Sequence, residues 1–394
     1  MRYNYGAFDG QKFQSPDDLF PSPQVVKFIL HYGEDALDAL DDADGDEQQQ
    51  MVEAMIAAGL LERDPETGQL KLTPRMLRGI QHRCLLEVFQ GLQRGSREGH
   101  PTFDPGRSPE RTDGTKPYEF GDPISELDLG ATMRNAIHRV AAASRSEKPP
   151  RPPIRLQHGD FELFNSEGQS DVALAVLIDM SGSMIRYGRF YHAKRIALGL
   201  AELMRSRFPQ DTIDYVGFYS TACHLKPADL PLVMPKPIST REYQVRFRLP
   251  LKEAEANPRR VPQHFTNLQL GLRYARQALA RRGAANKQIF VITDGQPTAH
   301  VEPGPQGETL HLLYPPAQRT ADATLNEAFR CMQQGIRVAT FALIEDYWGM
   351  EWVGFVDKMT RLVRGIAYYC TSEDLSSTVI ESYLSGRKRK QFIA

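Results

Sequence analysis

Apolar runs and stretches of helical period alternate through the second half of the chain. The run 172–178 is apolar at every position, as in a strand buried on both faces. Phe190, Ile196, Ala197, Leu200, Met204 and Phe208 then recur at helical spacing, so a helix follows and lays one stripe on the sheet. The same rhythm predicts a strand over 213–219, a helix carrying Leu268, Leu272, Ala275 and Leu279, and a strand over 288–293. It continues with a helix over 322–333 and a strand over 336–344. A helix with Trp352, Phe355, Val356, Met359 and Leu362, a short strand over 365–369 and a last helix reaching Leu384 complete it. The predicted fold class is α/β, a doubly wound parallel sheet covered by helices on both faces.

Two segments break the rhythm. Residues 222–265 are too long for a plain connection; they hold several prolines together with Arg241, Arg246, Arg248, Arg259 and Arg260, which predicts a separate lobe or hairpin. Residues 299–320 form the second interruption, with an apolar stretch ending at Pro315 and Pro316. Both are expected on the functional face, where scattered arginines are either a solvated loop or a guide for an acidic partner.

The first half is mainly helical and less regular. The pattern predicts a helix over 48–60, a hairpin over 61–72 turned by 65–68, and a helix from Thr73 and Pro74 to Gln93. That order resembles part of a winged-helix module. The helix that would read a groove carries neither Arg nor Lys, and phosphate contacts supply most nucleic-acid affinity, so no nucleic-acid partner is expected. The expected organisation is 1–94 as this winged-helix-like region, 95–153 as a Pro/Gly-rich linker around one helix over 124–143, and 154–394 as the α/β domain.

Composition narrows the function classes. With 394 residues, 41% hydrophobic and a formal net charge of −1, the chain can bury a large core but has no global attraction to nucleic acid or anionic membrane. The start at Met1 shows no secretory pattern and no run is long enough to span a bilayer, so a cytoplasmic protein without a membrane partner is expected. Cys84, Cys223, Cys331 and Cys370 lack the spacing of a zinc or redox motif and are expected as packed thiols. The acidic run Asp41, Asp42, Asp44, Gly45 and Asp46 is not a calcium loop. With Gly45 at the sixth position, the first is Leu40 and the twelfth Met51, so the first ligand and the closing carboxylate are missing.

The candidate chemistry lies where the first sheet strand ends. Asp179, Ser181 and Ser183 emerge there, Asp294 follows the strand over 288–293, and Thr266 precedes a helix. Ligands of doubly wound folds bind beyond the carboxyl ends of strands. Three hydroxyls and two carboxylates converging there suit a hard, oxygen-preferring cation. Magnesium fits best, with manganese or calcium as substitutes; zinc would want His or Cys. Taken singly, the same groups are ordinary helix caps and turns, but that reading leaves Asp179 an unpaired carboxylate at a buried strand end.

Asp-x-Ser-x-Ser, a distant Thr and a distant Asp resemble the metal-ion-dependent adhesion site (MIDAS) of von Willebrand factor type A (VWA) domains, themselves Rossmann-like. The resemblance implies that Ser181, Ser183 and Thr266 contact the cation, and that Asp179 and Asp294 act directly or through water. One departure is Phe265, where the family often has glycine. From Arg155 onward the chain looks like bacterial cytoplasmic VWA proteins related to the magnesium-chelatase D subunit and to the partners of MoxR-type AAA+ ATPases. That likeness implies an adaptor that grips a carboxylate of a partner protein, an AAA+ ATPase or its client, during remodelling or cofactor insertion. The chain has no Gly-rich loop ending in Lys and Ser or Thr, so ATP hydrolysis would come from elsewhere.

An enzyme is the alternative: a metal-dependent hydrolase or phosphatase at the same site. Ser181 stands where an aspartyl phosphatase needs its second acid, and His264 is the one candidate base, so no catalytic residue is assigned. The basic tail Arg387, Lys388, Arg389 and Lys390 reads as a solvated helix end.

Overall fold

The computed structural model describes residues 23–42, 45–92, 109–118, 127–144, 155–168, 171–240, 242, 244–304, 307–344, 350–372 and 374–386. They fall into two compact units, one from 1–97 and 172–386, the other from 98–171. Asp44, Arg241 and the basic tail lie outside the described residues.

The larger unit begins with α1 (Pro23–Tyr32), α2 (Glu34–Asp41) and α3 (Asp46–Ala57), then a hairpin of β1 (Leu61–Arg63) and β2 (Leu70–Leu72) and the long helix α4 (Pro74–Leu92). Thr73 sets the start of α4: its hydroxyl donates to Gly59 O at 2.7 Å and accepts from Met76 N–H at 3.2 Å. Asp41 of the acidic run pairs with Arg63 at 2.7 Å.

The smaller unit contains β3 (Pro109–Pro117), α5 (Leu129–Ser144) and β4 (Glu162–Gly168). Here the sequence-based expectation of a linker over 95–153 needs correction. β3 lies inside that stretch and pairs antiparallel with β4, with a register shift between Arg111 and Thr115. Residues 154–171, assigned from the sequence to the α/β domain, fall in this unit instead. Asp160 receives Arg139 through two nitrogens, at 2.8 and 2.7 Å, tying α5 to the chain that leads into β4.

The alternation beyond residue 172 becomes β5 (Val172–Asp179), α6 (Arg189–Arg207), β6 (Thr212–Phe218), β7 (Ala222–Leu225), β8 (Val245–Pro250), α7 (Leu251–Ala256), α8 (Leu268–Ala280), β9 (Asn286–Thr293), β10 (Ala299–Gly304), β11 (Gly307–Tyr314), α9 (Gln318–Gln333), β12 (Arg337–Leu343), α10 (Met350–Val363), β13 (Ile366–Cys370) and α11 (Leu375–Gly386). Six strands form one sheet in the order β13-β12-β9-β5-β6-β7, parallel except for β7 at one edge. The doubly wound α/β prediction therefore holds. β5 is buried along its whole length because it serves two cores. Leu174, Val176 and Ile178 face one cluster, and Ala173, Ala175 and Leu177 face the other.

The first cluster continues from α6 into α4 and α1, through Cys84, Ile80, Met76 and Ile29. Gly199 of α6 permits the close crossing: a Cβ there would sit 3.5 Å from the backbone of Cys84 and Leu85. Burying Met76, Ile80 and Leu85 contributes on the order of 1.5–3 kcal/mol each. Their sum is comparable to the net stability of a whole domain, so the amino-terminal helices belong to the core of this unit.

Parts of the two interruptions pair with each other, while β7, at the start of the first, belongs to the six-stranded sheet. β10 and β11 form a hairpin, and β8 adds to β11, giving a three-stranded antiparallel sheet. Phe247, Leu312 and Ala299 are cross-strand neighbours on its inner face, while Arg246 and Arg248 point to solvent.

Candidate metal centre

β5 and β9 run parallel with Ile178 opposite Ile292, so Asp179 and Thr293 leave the sheet side by side. Asp179 is fully buried. Its Oδ1 accepts the N–H of Ser181 at 2.8 Å and its Oδ2 accepts the Thr293 hydroxyl at 2.6 Å. Asp294, next along the chain, accepts the Ser183 hydroxyl on Oδ1 at 2.7 Å and Nη1 of Arg189 on Oδ2 at 2.5 Å. The Ser181 and Ser183 hydroxyl oxygens are 3.1 Å apart. Asp179, Ser181, Ser183 and Asp294 are thus one hydrogen-bonded cluster.

Thr266 is tied by its backbone not to these four residues but to the segment that follows Asp294. Its N–H donates to the Thr298 hydroxyl at 2.9 Å, and its carbonyl accepts the N–H groups of Thr298 and Ala299, each at 3.0 Å. The turn after Asp294 and the start of β10 are therefore bolted to Thr266. The Thr266 segment is itself anchored by Ser220, beyond the end of β6. Phe265 N–H donates to Ser220 Oγ at 3.2 Å, and Asn267 Nδ2 donates to Ser220 O at 3.0 Å while its Oδ1 caps α8 through Leu270 N–H. Phe265, where the family often has glycine, is buried here.

Backbone contacts shape the turn between Asp179 and Ser183. Met180 N–H donates to Phe218 O at 2.8 Å, Lys236 N–H to Met180 O at 2.8 Å, and Gly182 N–H to His264 O at 3.1 Å. Gly182 has no room for a side chain: a Cβ would lie 2.6 Å from Ile238 Cγ1 and 3.1 Å from His264 Cβ. Residues 231–239 thus form a strap over the turn. Lys194 of α6 holds the strap from within, donating from Nζ to Pro231 O at 2.9 Å and Val233 O at 3.1 Å. Burial pushes the Lys194 ammonium down to about 7. Gly33, between α1 and α2, meets the strap from the other side; a Cβ there would fall 2.2 Å from Leu232 O.

The electrostatics of the cluster follow from burial. Desolvation, and then the neighbouring Asp294 charge, push the Asp179 carboxyl well above the usual carboxylate range, against the bonds from Thr293 and Ser181. Two buried carboxylates, Asp179 and Asp294, thus lie side by side, and the buried Arg189 guanidinium pairs with the second. The groups that could hold a cation here, the Asp179 and Asp294 carboxylates and the Ser181 and Ser183 hydroxyls, all offer oxygen, the donor a hard cation prefers. Among the described residues no three or more His, Cys, Asp or Glu side chains are placed to hold a metal, so any cation here relies on the hydroxyls.

His264 lies beside Gly182 and is half-buried, with Ser239 N–H donating to its Nδ1 at 3.3 Å; burial lowers its pKa. Sequence reading missed Arg189, Thr293, Ser220 and Lys194 as parts of this site. Thr293 had a signal, since it directly precedes Asp294 at a buried strand end, whereas nothing local marks the others. The four cysteines are free thiols, three of them buried. No described helix is long and apolar enough to cross a membrane.

The parallel sheet, with a hydroxyl and carboxylate turn at the carboxyl end of its central strand, defines a von Willebrand factor type A domain. More narrowly, residues 172–384 match the vWA domain of the Rv0959-like proteins, and residues 110–166 match the third domain of that family. The chain belongs to the Rv0959-like vWA family. It is 29% identical over 339 residues to the uncharacterized protein Rv0959 of Mycobacterium tuberculosis and, equally, to the uncharacterized protein Mb0984 of Mycobacterium bovis. The match covers 85% of this chain and 45% of each relative, so the chain spans about half the length of the curated relatives it matches. Among solved structures, the PilB minor pilin from Streptococcus sanguinis is similar at 15% identity and a TM-score of 0.39, over 60% of this chain and 66% of that one. The vWF domain of the pili tip protein Mfa5 from Porphyromonas gingivalis is similar at 14% identity and a TM-score of 0.36, over 57% of this chain and 98% of that one.

Proposed function

We propose that this vWA domain is a cation-dependent protein-interaction module, with magnesium held by Asp179, Ser181, Ser183, Thr266 and Asp294. The observation that supports the reading is the buried, hydrogen-bonded cluster of two carboxylates and two hydroxyls at the carboxyl ends of β5 and β9. When bound, the ion supplies an electrophilic position that a carboxylate of a partner protein fills. Ser181 and Ser183 present neutral oxygens that leave the ion's charge poorly quenched, and Asp179 and Asp294 orient them. Thr293, Ser220 and the strap over Gly182 hold this arrangement rigid.

The partner in this reading is a MoxR-type AAA+ ATPase or its client, and the chain acts as an adaptor in remodelling or cofactor insertion, in the cytoplasm. The support is the resemblance of the motif and its flanking sequence. A groove lined by Gln296, Pro297, Pro316, Gln318, Phe355 and Lys358 runs from the turn after Asp294 and offers a partner further surface. The domain is not itself an enzyme in this account: Ser181 occupies the place of a general acid, and His264 is engaged by Ser239. Pull-down with a purified MoxR-type ATPase, in magnesium and in chelator, tests the reading. Capture lost in chelator and in Asp179→Ala supports it; capture indifferent to both rejects it. Turnover of a phosphate ester abolished by His264→Ala would favour the enzyme instead.

A further inference from the structure

We infer that Arg246 and Arg248, on the outer face of the three-stranded sheet, are a second contact for the partner: they take carboxylates at alternate positions of an extended acidic segment. The inference deepens the cation reading above and rests on it for the carboxylate that anchors this segment.

β8 alternates along its length. Val245, Phe247 and Leu249 turn inward against the second core cluster, and Arg246 and Arg248 between them are exposed. The acidic side chains of this sheet are engaged elsewhere. Glu302 accepts two nitrogens of Arg319 from α9, and Glu308 accepts Nη1 of Arg273 from α8 at 2.6 Å. His311, the cross-strand neighbour of Arg248, stacks on the buried His300, and burial holds both imidazoles below their ordinary pKa. Among the described residues, no acidic side chain pairs with Arg246 or Arg248. The free positive charge of this face is therefore theirs.

The register brings the pair close to the candidate metal centre. Arg246 lies opposite Leu313, whose N–H donates to Thr298 O at 2.8 Å, and the Thr298 hydroxyl accepts the N–H of Thr266 at 2.9 Å. Adjacent strands are about 4.8 Å apart, so the Arg246 backbone is roughly 10 Å from that of Thr298. Arg246 and Arg248 are themselves about 6.8 Å apart along β8, the distance at which an extended peptide repeats its side chains on one face. Each guanidinium matches a carboxylate with paired N–H donors. An extended segment with one acid on the cation thus carries its next alternate acids over this face. Charged side chains on an edge strand also discourage pairing with another sheet, and β8 is an edge. Either sign of charge serves that purpose, whereas gripping an acidic segment needs the positive one.

Calorimetric titration of the blocked peptide Glu-Thr-Glu-Thr-Glu-Thr-Glu-Thr into the full chain in magnesium tests this, with the same peptide carrying Gln for Glu as control. Exposed ion pairs contribute modestly, so Arg246→Gln combined with Arg248→Gln is expected to weaken binding of the acidic peptide about five- to tenfold. The same variant should bind the peptide with a flatter dependence on sodium chloride, and should take up magnesium alone as the unaltered chain does. Arg246→Lys with Arg248→Lys keeps the charge and most of the affinity, whereas Arg246→Glu with Arg248→Glu weakens binding further. Equal affinity for the acidic peptide in the unaltered, Gln and Glu chains, or no preference of the unaltered chain for it over the Gln peptide, overturns the inference and leaves the cation reading standing. Absence of magnesium uptake by the unaltered chain overturns the cation reading and removes the anchor with it.

Discussion

Replacing Thr293 with valine keeps the shape of a buried side chain and removes one hydroxyl. That hydroxyl donates to Asp179 Oδ2 at 2.6 Å, and the carboxylate is wholly buried. A hydrogen bond to a charged group contributes about 1.5–3 kcal/mol, and a buried acceptor left bare pays its desolvation in full. We therefore expect Thr293→Val to cost about 2 kcal/mol in chelator, a fall in Tm of roughly 4–8 °C at 2–4 °C per kcal/mol for a unit of this size. Thr293→Ser keeps the bond and loses only a methyl group, about 1 kcal/mol. pH separates the two. The bond favours ionised Asp179, so the valine penalty should shrink as falling pH protonates that carboxyl, whose pKa burial and Asp294 have raised. The serine penalty should stay constant. Urea unfolding followed by circular dichroism at mildly alkaline and acidic pH measures both. A valine variant no less stable than the serine variant at alkaline pH would refute the claim that Thr293 supports an ionised Asp179.

Lys194→Met should change how stability depends on pH. Burial lowers Lys194 to about 7, so between there and its ordinary value of 10.5 the unfolded chain binds a proton that the folded chain lacks. Its contribution to stability thus grows as pH rises through that window and is lost as pH falls towards 7, at up to about 1.4 kcal/mol per pH unit. Subtracting the methionine variant's urea-unfolding curve isolates the effect, and parallel curves from pH 7 to 9 would count against it. Gly33→Ala should destabilise the larger unit by at least about 2 kcal/mol, because φ is 60° and the new Cβ would meet Leu232 O at 2.2 Å. A melting temperature unchanged by that substitution would show that α1 and α2 do not press on the strap.

Much of the fold was legible because its strands are buried on two faces. Continuous apolar runs and helical stripes are written locally, and they placed β5, β6, β9, β12 and the helices between them. β3 was not legible: Pro-Glu-Arg-Thr-Asp-Gly-Thr-Lys-Pro shows no alternation, and its partner β4 lies about fifty residues further on. The pairing of β8 with β11 was hidden for the same reason, since each interruption was read by itself. At the site, the five motif positions can be read because their order and spacing are distinctive, and four of them meet through side chains. Arg189 could not be read, since its role depends on the turn through Tyr187 and Gly188 that directs it at Asp294.

In the function proposed, the cluster around Asp179 takes up a divalent cation. Isothermal titration of magnesium into the purified chain, with acetate present, measures this directly. We expect saturable uptake of one ion per chain, abolished by Asp179→Ala and by Ser181→Ala combined with Ser183→Ala, in protein whose circular dichroism is unchanged. No uptake of magnesium, manganese or calcium by the unaltered chain would contradict it.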